Sequence, residues 1–221
     1  MAKDHLIQLR EFLVQYPGYS KEALAYIEEE FSEAIFSYAK PEILAQIYAE
    51  LGMLDDGENI YKCFSDVILS RYPAHYHMLE VGAGHFPVFA KYIDLRQQEL
   101  GTGMITAYDP QLVTERLGNI KLHKKRFTYD TEIDQFDLLI GVSPCKATEM
   151  LMRQAIQKQK EFFVALCGCS HFEEQHKEIT NSYVDWEEYI TEVAFSQIRE
   201  GFEVKYEVIN QFPVLSSKKV R

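Results

Sequence analysis

The sequence has no long apolar run and few cysteines. A transmembrane helix needs about 20 consecutive apolar residues, and no stretch of the 221-residue chain approaches that length. The first residues, MAKDHLIQLREF, lack the apolar segment of a secretory signal peptide. We therefore expect a soluble, cytoplasmic protein with no membrane partner. Its four cysteines do not suggest a disulfide scaffold in that compartment.

Basic residues are outnumbered by acidic ones. The chain has 23 Lys and Arg against 34 Asp and Glu, a formal net charge of −11. This balance argues against sequence-independent binding to nucleic acid. One basic cluster, KLHKKR at 121–126, is too short for a nucleic-acid footprint, and such charge runs are usually solvated faces. We expect a small-molecule substrate and no nucleic-acid partner.

The first 72 residues form a predicted helical region. Apolar residues recur at helical spacing, Ser20 is a plausible N-cap after YPGYS, and Pro41 interrupts or kinks the second helix. A further helix, IYKCFSDVILSRY, is expected to end before Pro73. We interpret residues 1–72 as a region that covers the substrate side of a second domain.

From residue 73 to 221 the pattern changes to short apolar strands that alternate with helices. Such alternation predicts an α/β fold with a doubly wound, mostly parallel sheet of seven strands. The last two strands alternate like an antiparallel pair. The predicted strands are YHMLEV, GMITAYD, NIKLHKKRF, FDLLIGVS, EFFVALCGC, FEVKYEVI and FPVLSSKKV.

The loop after the first strand is the predicted ligand site. Ligands of doubly wound sheets bind beyond the carboxyl ends of the strands, where the strand order reverses. Gly82 and Gly84 would allow a sharp turn and a close approach to the backbone. Pro87 suits the first position of a helix. A proline there disfavours a dinucleotide, whose G-x-G-x-x-G fingerprint has glycine at that position.

Together, Glu80, Gly82, Ala83 and Gly84 resemble motif I of the class I S-adenosylmethionine-dependent methyltransferases. The resemblance, which extends over about residues 60 to 221, implies S-adenosylmethionine as cofactor, with Glu80 helping to hold its methionine end. Asp109, at the end of the second strand, matches the acidic residue that binds both ribose hydroxyls. One carboxylate accepts from two vicinal hydroxyls and would repel a 2′-phosphate.

The resemblance implies further cofactor contacts around this loop. Ser143, after the fourth strand, falls at the motif IV position beside the sulfonium, and Tyr61 lies where an aromatic residue often approaches the methionine tail. Pro110 follows Asp109. Phe127 is expected to pack against adenine. His85, inside the loop, is expected either to contact the ligand carboxylate or to cap the helix.

Several positions depart from the family pattern. Phe86 replaces the third motif I glycine, and 29 residues separate Glu80 from Asp109, with DLRQQELGTG as the expected insertion. Arg126 and Phe127 stand where many members have an acidic residue near the adenine amine, and Asp130 is a weaker candidate for that role. The pattern is also similar to small Rossmann-like proteins with a G-x-G-x-x-P loop.

Cysteine and histidine residues near two strand ends suggest an alternative. Cys167, Cys169 and His171 follow the fifth strand, and Cys145 follows its neighbour in this fold. Three thiols and an imidazole would suit a soft metal, although C-x-C-x-H is not a strong zinc signature and buried cysteines commonly act as small apolar residues.

The sequence leaves three functions open. The first is methyl transfer to a small molecule, for which no catalytic residue is named because the reaction mainly needs positioning and desolvation. The second is cofactor or metal binding without methyl transfer. The third, by analogy of fold, is transfer of the aminobutanoyl arm, as in nicotianamine-type synthases. The methyl acceptor is not predicted, and a homodimer is retained as one oligomeric state.

Overall fold

The computed structural model describes residues 60–84, 87–112, 116–166 and 183–220. The predicted helices before residue 60, with the Ser20 cap and the Pro41 kink, lie outside these residues. So do four predicted site residues, His85, Cys167, Cys169 and His171. Within the described ranges, no helix is both long and apolar enough to cross a membrane.

Four helices and eight strands alternate along the described chain. The helices are α1 (Ile60–Arg71), α2 (Val88–Glu99), α3 (Thr148–Gln157) and α4 (Tyr183–Phe195). Short 3-10 turns cover Cys145–Ala147 and Ser196–Glu200. The strands are β1 (His77–Val81), β2 (Met104–Tyr108), β3 (Arg116–Leu117), β4 (Ile120–His123), β5 (Leu138–Val142), β6 (Glu161–Ala165), β7 (Phe202–Ile209) and β8 (Phe212–Lys219).

The strands form one sheet in the order β3-β4-β2-β1-β5-β6-β8-β7. β1 pairs in parallel with both β2 and β5, so the strand order reverses at β1. β8 is antiparallel to both β6 and β7. The predicted fold class is therefore confirmed: the seven predicted strands form a mostly parallel sheet that ends in an antiparallel pair. The two-residue strand β3, antiparallel to β4 at the sheet edge, was not predicted.

Apolar side chains cover both faces of the central strands, as a parallel sheet between two helical layers requires. On one face α1 and α2 pack through Phe64, Ile68 and Phe89. On the other, α3 and α4 pack through Leu151 and Ile190. β6 is buried along its whole length. These layers hold the strands rigidly and bring their carboxyl ends to one edge.

Two predicted boundaries shift by a few residues. Pro87 is the N-cap residue rather than the first residue of α2, because its ψ of 63° is not helical. The third predicted strand, NIKLHKKRF, ends at His123. The connection that follows, residues 124–137, is fully described and contains no helix, so it does not supply a helical cover for this part of the sheet.

Candidate functional site

The glycine loop turns back onto the end of β2. Gly82 and Gly84 have φ of +77° and +70°, a left-handed conformation that favours glycine. The Gly82 N–H donates to the Tyr108 carbonyl at 3.0 Å, and the Ala83 N–H donates to the same oxygen at 3.4 Å. The loop is thereby fixed against the carboxyl end of the neighbouring strand.

Asp109 lies at the centre of this arrangement. One carboxylate oxygen accepts the Gly84 N–H at 3.0 Å, and the other accepts the Gln111 N–H at 2.7 Å. The residue is 9% exposed. A carboxylate oxygen accepts two hydrogen bonds, and the residues that the structure describes supply one donor to each oxygen. The geometry thus joins the motif I loop to the acidic residue of β2.

The two loop glycines have different surroundings. A Cβ at Gly84 would meet no atom within 4 Å, so the space beside its backbone is open. A Cβ at Gly82 would lie 2.8 Å from the Pro144 Cα. Gly141, on β5, faces the same proline, since its Cβ would lie 2.9 Å from the Pro144 Cγ. Pro144 therefore packs directly against the ends of β1 and β5.

This role of Gly141 was not predicted from the sequence. A glycine within an apolar strand often marks a close backbone approach, so the run LLIGV contained the signal. The residues on either side of Pro144 are strained: Ser143 has φ of 52° and Cys145 has φ of 47°. The Ser143 N–H donates to the Ala165 carbonyl at 2.8 Å, which anchors this turn to β6.

Glu80 is a buried carboxyl next to the loop. It is 3% exposed, and its Oε2 accepts the Ala90 N–H of α2 at 3.1 Å. Burial raises the pKa of Glu80 to about 8, the hydrogen bond from Ala90 opposes this rise, and the charge of Asp109 adds to it. At pH 7 the Glu80 side chain is therefore mostly uncharged.

This raised pKa predicts a pH dependence of stability. Between pH about 4.5 and 8 the folded state holds a proton on Glu80 that the unfolded state has released. Stability therefore falls as pH rises through this window, by up to about 1.4 kcal/mol per pH unit. Urea unfolding at several pH values should show a smaller decline for Glu80→Gln. The matched exposed variant Glu192→Gln should follow wild type, and equal slopes for all three proteins would contradict the prediction.

The remaining predicted contacts surround this centre at different distances. Tyr61, half-buried on α1, packs with its ring centroid 6.3 Å from that of Phe89. Phe127 is 7% exposed and meets the Tyr108 ring edge-on, with centroids 6.5 Å apart. Pro110 is exposed directly after Asp109. The cofactor contacts assigned to these residues and to Ser143 stay predictions.

The metal alternative gains no support. Among the described residues, no group of three or more His, Cys, Asp or Glu is arranged to hold a metal ion. Cys145 is half-buried at the start of its 3-10 turn. Its three proposed partners fall in the range 167–182, outside the described chain.

Comparison with known proteins gives similarity of fold only. No family model and no curated protein matches the chain. Solved structures do: an O-methyltransferase family protein from Burkholderia thailandensis has 11% identity over 98% of this chain and 68% of its own, with a TM-score of 0.49. A methyltransferase from Pyrococcus furiosus has 14% identity over 72% and 83%, with a TM-score of 0.47.

A third structure is the precorrin-6y C5,15-methyltransferase from Geobacter metallireducens GS-15. It has 12% identity over 71% of this chain and 86% of its own, with a TM-score of 0.44. The strand order and the antiparallel last pair agree with the fold that the sequence resemblance implies. At these identities and TM-scores the similarity extends to the fold alone.

Proposed function

We propose that this protein is an S-adenosylmethionine-dependent methyltransferase that acts on a small molecule. One observation carries the proposal: the motif I glycine loop and the β2 carboxylate meet, through the hydrogen bond from the Gly84 N–H to Asp109. In a doubly wound sheet this is the position where a nucleoside binds.

The residues present fit this cofactor. The described residues leave each oxygen of Asp109 acceptor capacity for one further donor, which two vicinal ribose hydroxyls require. The open space beside the Gly84 backbone leaves room for the ligand on that side of the loop. Glu80, two residues before Gly82, would lie toward the methionine end of the cofactor. Its carboxyl is already oriented by the Ala90 N–H.

The bound cofactor would supply a methyl group attached to a sulfonium, and the neutral thioether that remains after transfer is an excellent leaving group. The protein then has to align the acceptor with that group and exclude water. The Ser143–Cys145 turn is the element suited to this, because it reaches the end of β1 through the contact of Pro144 with Gly82. We assign no general base.

The substrate class follows from charge. A net charge of −11 opposes binding of a polyanion, so we propose a small-molecule acceptor rather than nucleic acid. The amino-terminal region to residue 72 would cover the acceptor side of the site. A cytoplasmic location and a homodimer complete the proposal.

Titration calorimetry with S-adenosylhomocysteine tests this function. We expect binding in the micromolar range, because two backbone N–H groups already hold the Asp109 carboxylate in position for the ribose. The absence of heat with either S-adenosylhomocysteine or S-adenosylmethionine would contradict the proposal. Product analysis after incubation with candidate acceptors should give S-adenosylhomocysteine. Methylthioadenosine as product would instead indicate aminobutanoyl transfer.

A further inference from the structure

A cavity lies on the face of the sheet that carries α3 and α4, and residues 82–84 of the glycine loop do not line it. We name it the β4 cavity, and its volume is about 410 Å³. It forms where the connection 124–137 crosses the sheet without a helix. Its lining consists of His77, Thr106, Tyr108, Lys121, His123, Lys125, Arg126, Thr128, Asp130, Thr131, Glu132, Gln135 and Phe136.

The β4 cavity is distinct from the candidate cofactor site. Of the described residues, Glu80, Gly82, Gly84 and Asp109 are not among those that line it. His77 and Lys121 begin or nearly begin their strands, so the cavity extends along the sheet face toward the amino ends of β1 and β4. Asp130, considered above for the adenine amine, also lines this cavity.

The cavity lining carries a small excess of positive charge. Lys121, Lys125 and Arg126 face two carboxylates, those of Asp130 and Glu132, which leaves an excess of one positive charge with neutral histidines. This excess is notable in a chain with a net charge of −11. The three cations come from the KLHKKR cluster, which the proposed methyl transfer does not use. The cluster is thus gathered around a concave surface.

The floor of the cavity is ordered and partly polar. Thr106 is 1% exposed, and its Oγ1 lies 3.2 Å from the His77 Nε2. The His123 ring packs on Tyr108, with centroids 4.4 Å apart. The Lys125 Nζ lies 5.3 Å from the centre of the same Tyr108 ring, which directs its charge toward the floor.

The pKa values of both cavity histidines are lowered. Burial lowers the pKa of His123, and Lys125 and Lys121 lower it further. Burial also lowers the pKa of His77, with a smaller contribution from Lys121, while a backbone hydrogen bond to Gln135 and the charge of Asp137 oppose it. A bound anion would favour both imidazolium forms and raise both pKa values.

We propose that the β4 cavity binds a small organic phosphate. Two lysines and an arginine are the side chains that most often recognise phosphate oxygens. Ligand sites in proteins have volumes of about 300–1,000 Å³, and the volume here is far larger than the about 30 Å³ that one water molecule occupies. The cavity therefore has room for an organic group beside the phosphate, next to Tyr108 and Phe136.

Phenyl phosphate and inorganic pyrophosphate are suitable probes, because neither contains the nucleoside expected at Asp109. We expect saturable binding of phenyl phosphate by calorimetry, with a rise in the pKa of His123 followed by NMR. The double variant Lys121→Gln/Lys125→Gln should bind at least about ten-fold more weakly, since it lacks two cations that would make charge-assisted hydrogen bonds to the phosphate. Lys205→Gln/Lys158→Gln, which changes net charge equally but outside the cavity, should bind as wild type.

Several results would overturn the proposal. These are the absence of saturable binding to either probe, binding that both double variants weaken equally, and binding that leaves the His123 and His77 resonances unchanged. The replaced lysines are exposed, and thermal unfolding of each variant verifies that it is folded. Binding of the phosphate probes does not depend on methyl transfer, so failure here leaves the proposed function intact, and the reverse also holds.

Discussion

Replacing Asp109 with alanine should abolish measurable binding of S-adenosylhomocysteine. Each hydrogen bond to a charged group contributes about 1.5–3 kcal/mol, and the variant would lose the two proposed bonds to the ribose hydroxyls. Affinity should therefore fall by about 100-fold or more. The variant would also lose the bonds from the Gly84 and Gln111 N–H groups, which orient the loop. Calorimetry at constant ionic strength measures the effect.

Asp109→Asn should weaken binding almost as strongly, because an amide has only one acceptor oxygen. Its NH₂ group would face either the Gly84 or the Gln111 N–H, which is a donor. The matched control is Asp134→Asn, since the Asp134 side chain is 73% exposed. Wild-type affinity in folded Asp109→Ala would show that the carboxylate does not bind the ligand.

Replacing each loop glycine with alanine should distinguish an effect of packing on stability from an effect of ligand access on affinity. Both substitutions place a Cβ at positive φ, which costs about 1–2 kcal/mol. Gly82→Ala should cost about 1–3 kcal/mol more, because the new Cβ would lie 2.8 Å from the Pro144 backbone. Gly84→Ala should retain more stability but bind S-adenosylhomocysteine more weakly, since its Cβ enters the open space that the ligand is proposed to occupy.

Urea unfolding and calorimetry on the pair measure these two effects independently. The comparison is internally controlled, because the two positions share a loop, a residue type and a backbone conformation. Equal losses of stability would contradict the close packing of Gly82 on Pro144. Unchanged affinity in Gly84→Ala would place the ligand on another side of the loop.

The sequence was sufficient for the fold because each strand carried its own signal. β5 and β6 are short apolar runs bounded by polar residues, as strands buried on both faces must be. The last two strands alternate in polarity, and the structure pairs them antiparallel along Phe202–Ile209 and Phe212–Lys219. Strand β3 was not predicted, because a strand of two residues, Arg116–Leu117, is too short to show any periodicity.

Long-range contacts were harder to predict, because sequence does not show which residues meet. The positions of Glu80 and Asp109 relative to the glycine loop followed from the resemblance, but the pKa of Glu80 depends on burial beneath α2. The contact of Pro144 with Gly82 joins residues 62 positions apart. The KLHKKR cluster was interpreted as a solvated face, and its cations are exposed, but the sequence did not show that three of them line a cavity. The cavity forms beside the connection 124–137, which contains no helix.

The contact of Pro144 with two glycines also has a consequence for how this sequence can change over generations. Alanine at position 82 or 141 would collide with the proline ring or its backbone, whereas either exchange becomes easier once a smaller residue replaces Pro144. The three positions should therefore vary together among descendants of a common ancestor. A mutational path that changes either glycine before Pro144 passes through a less stable intermediate.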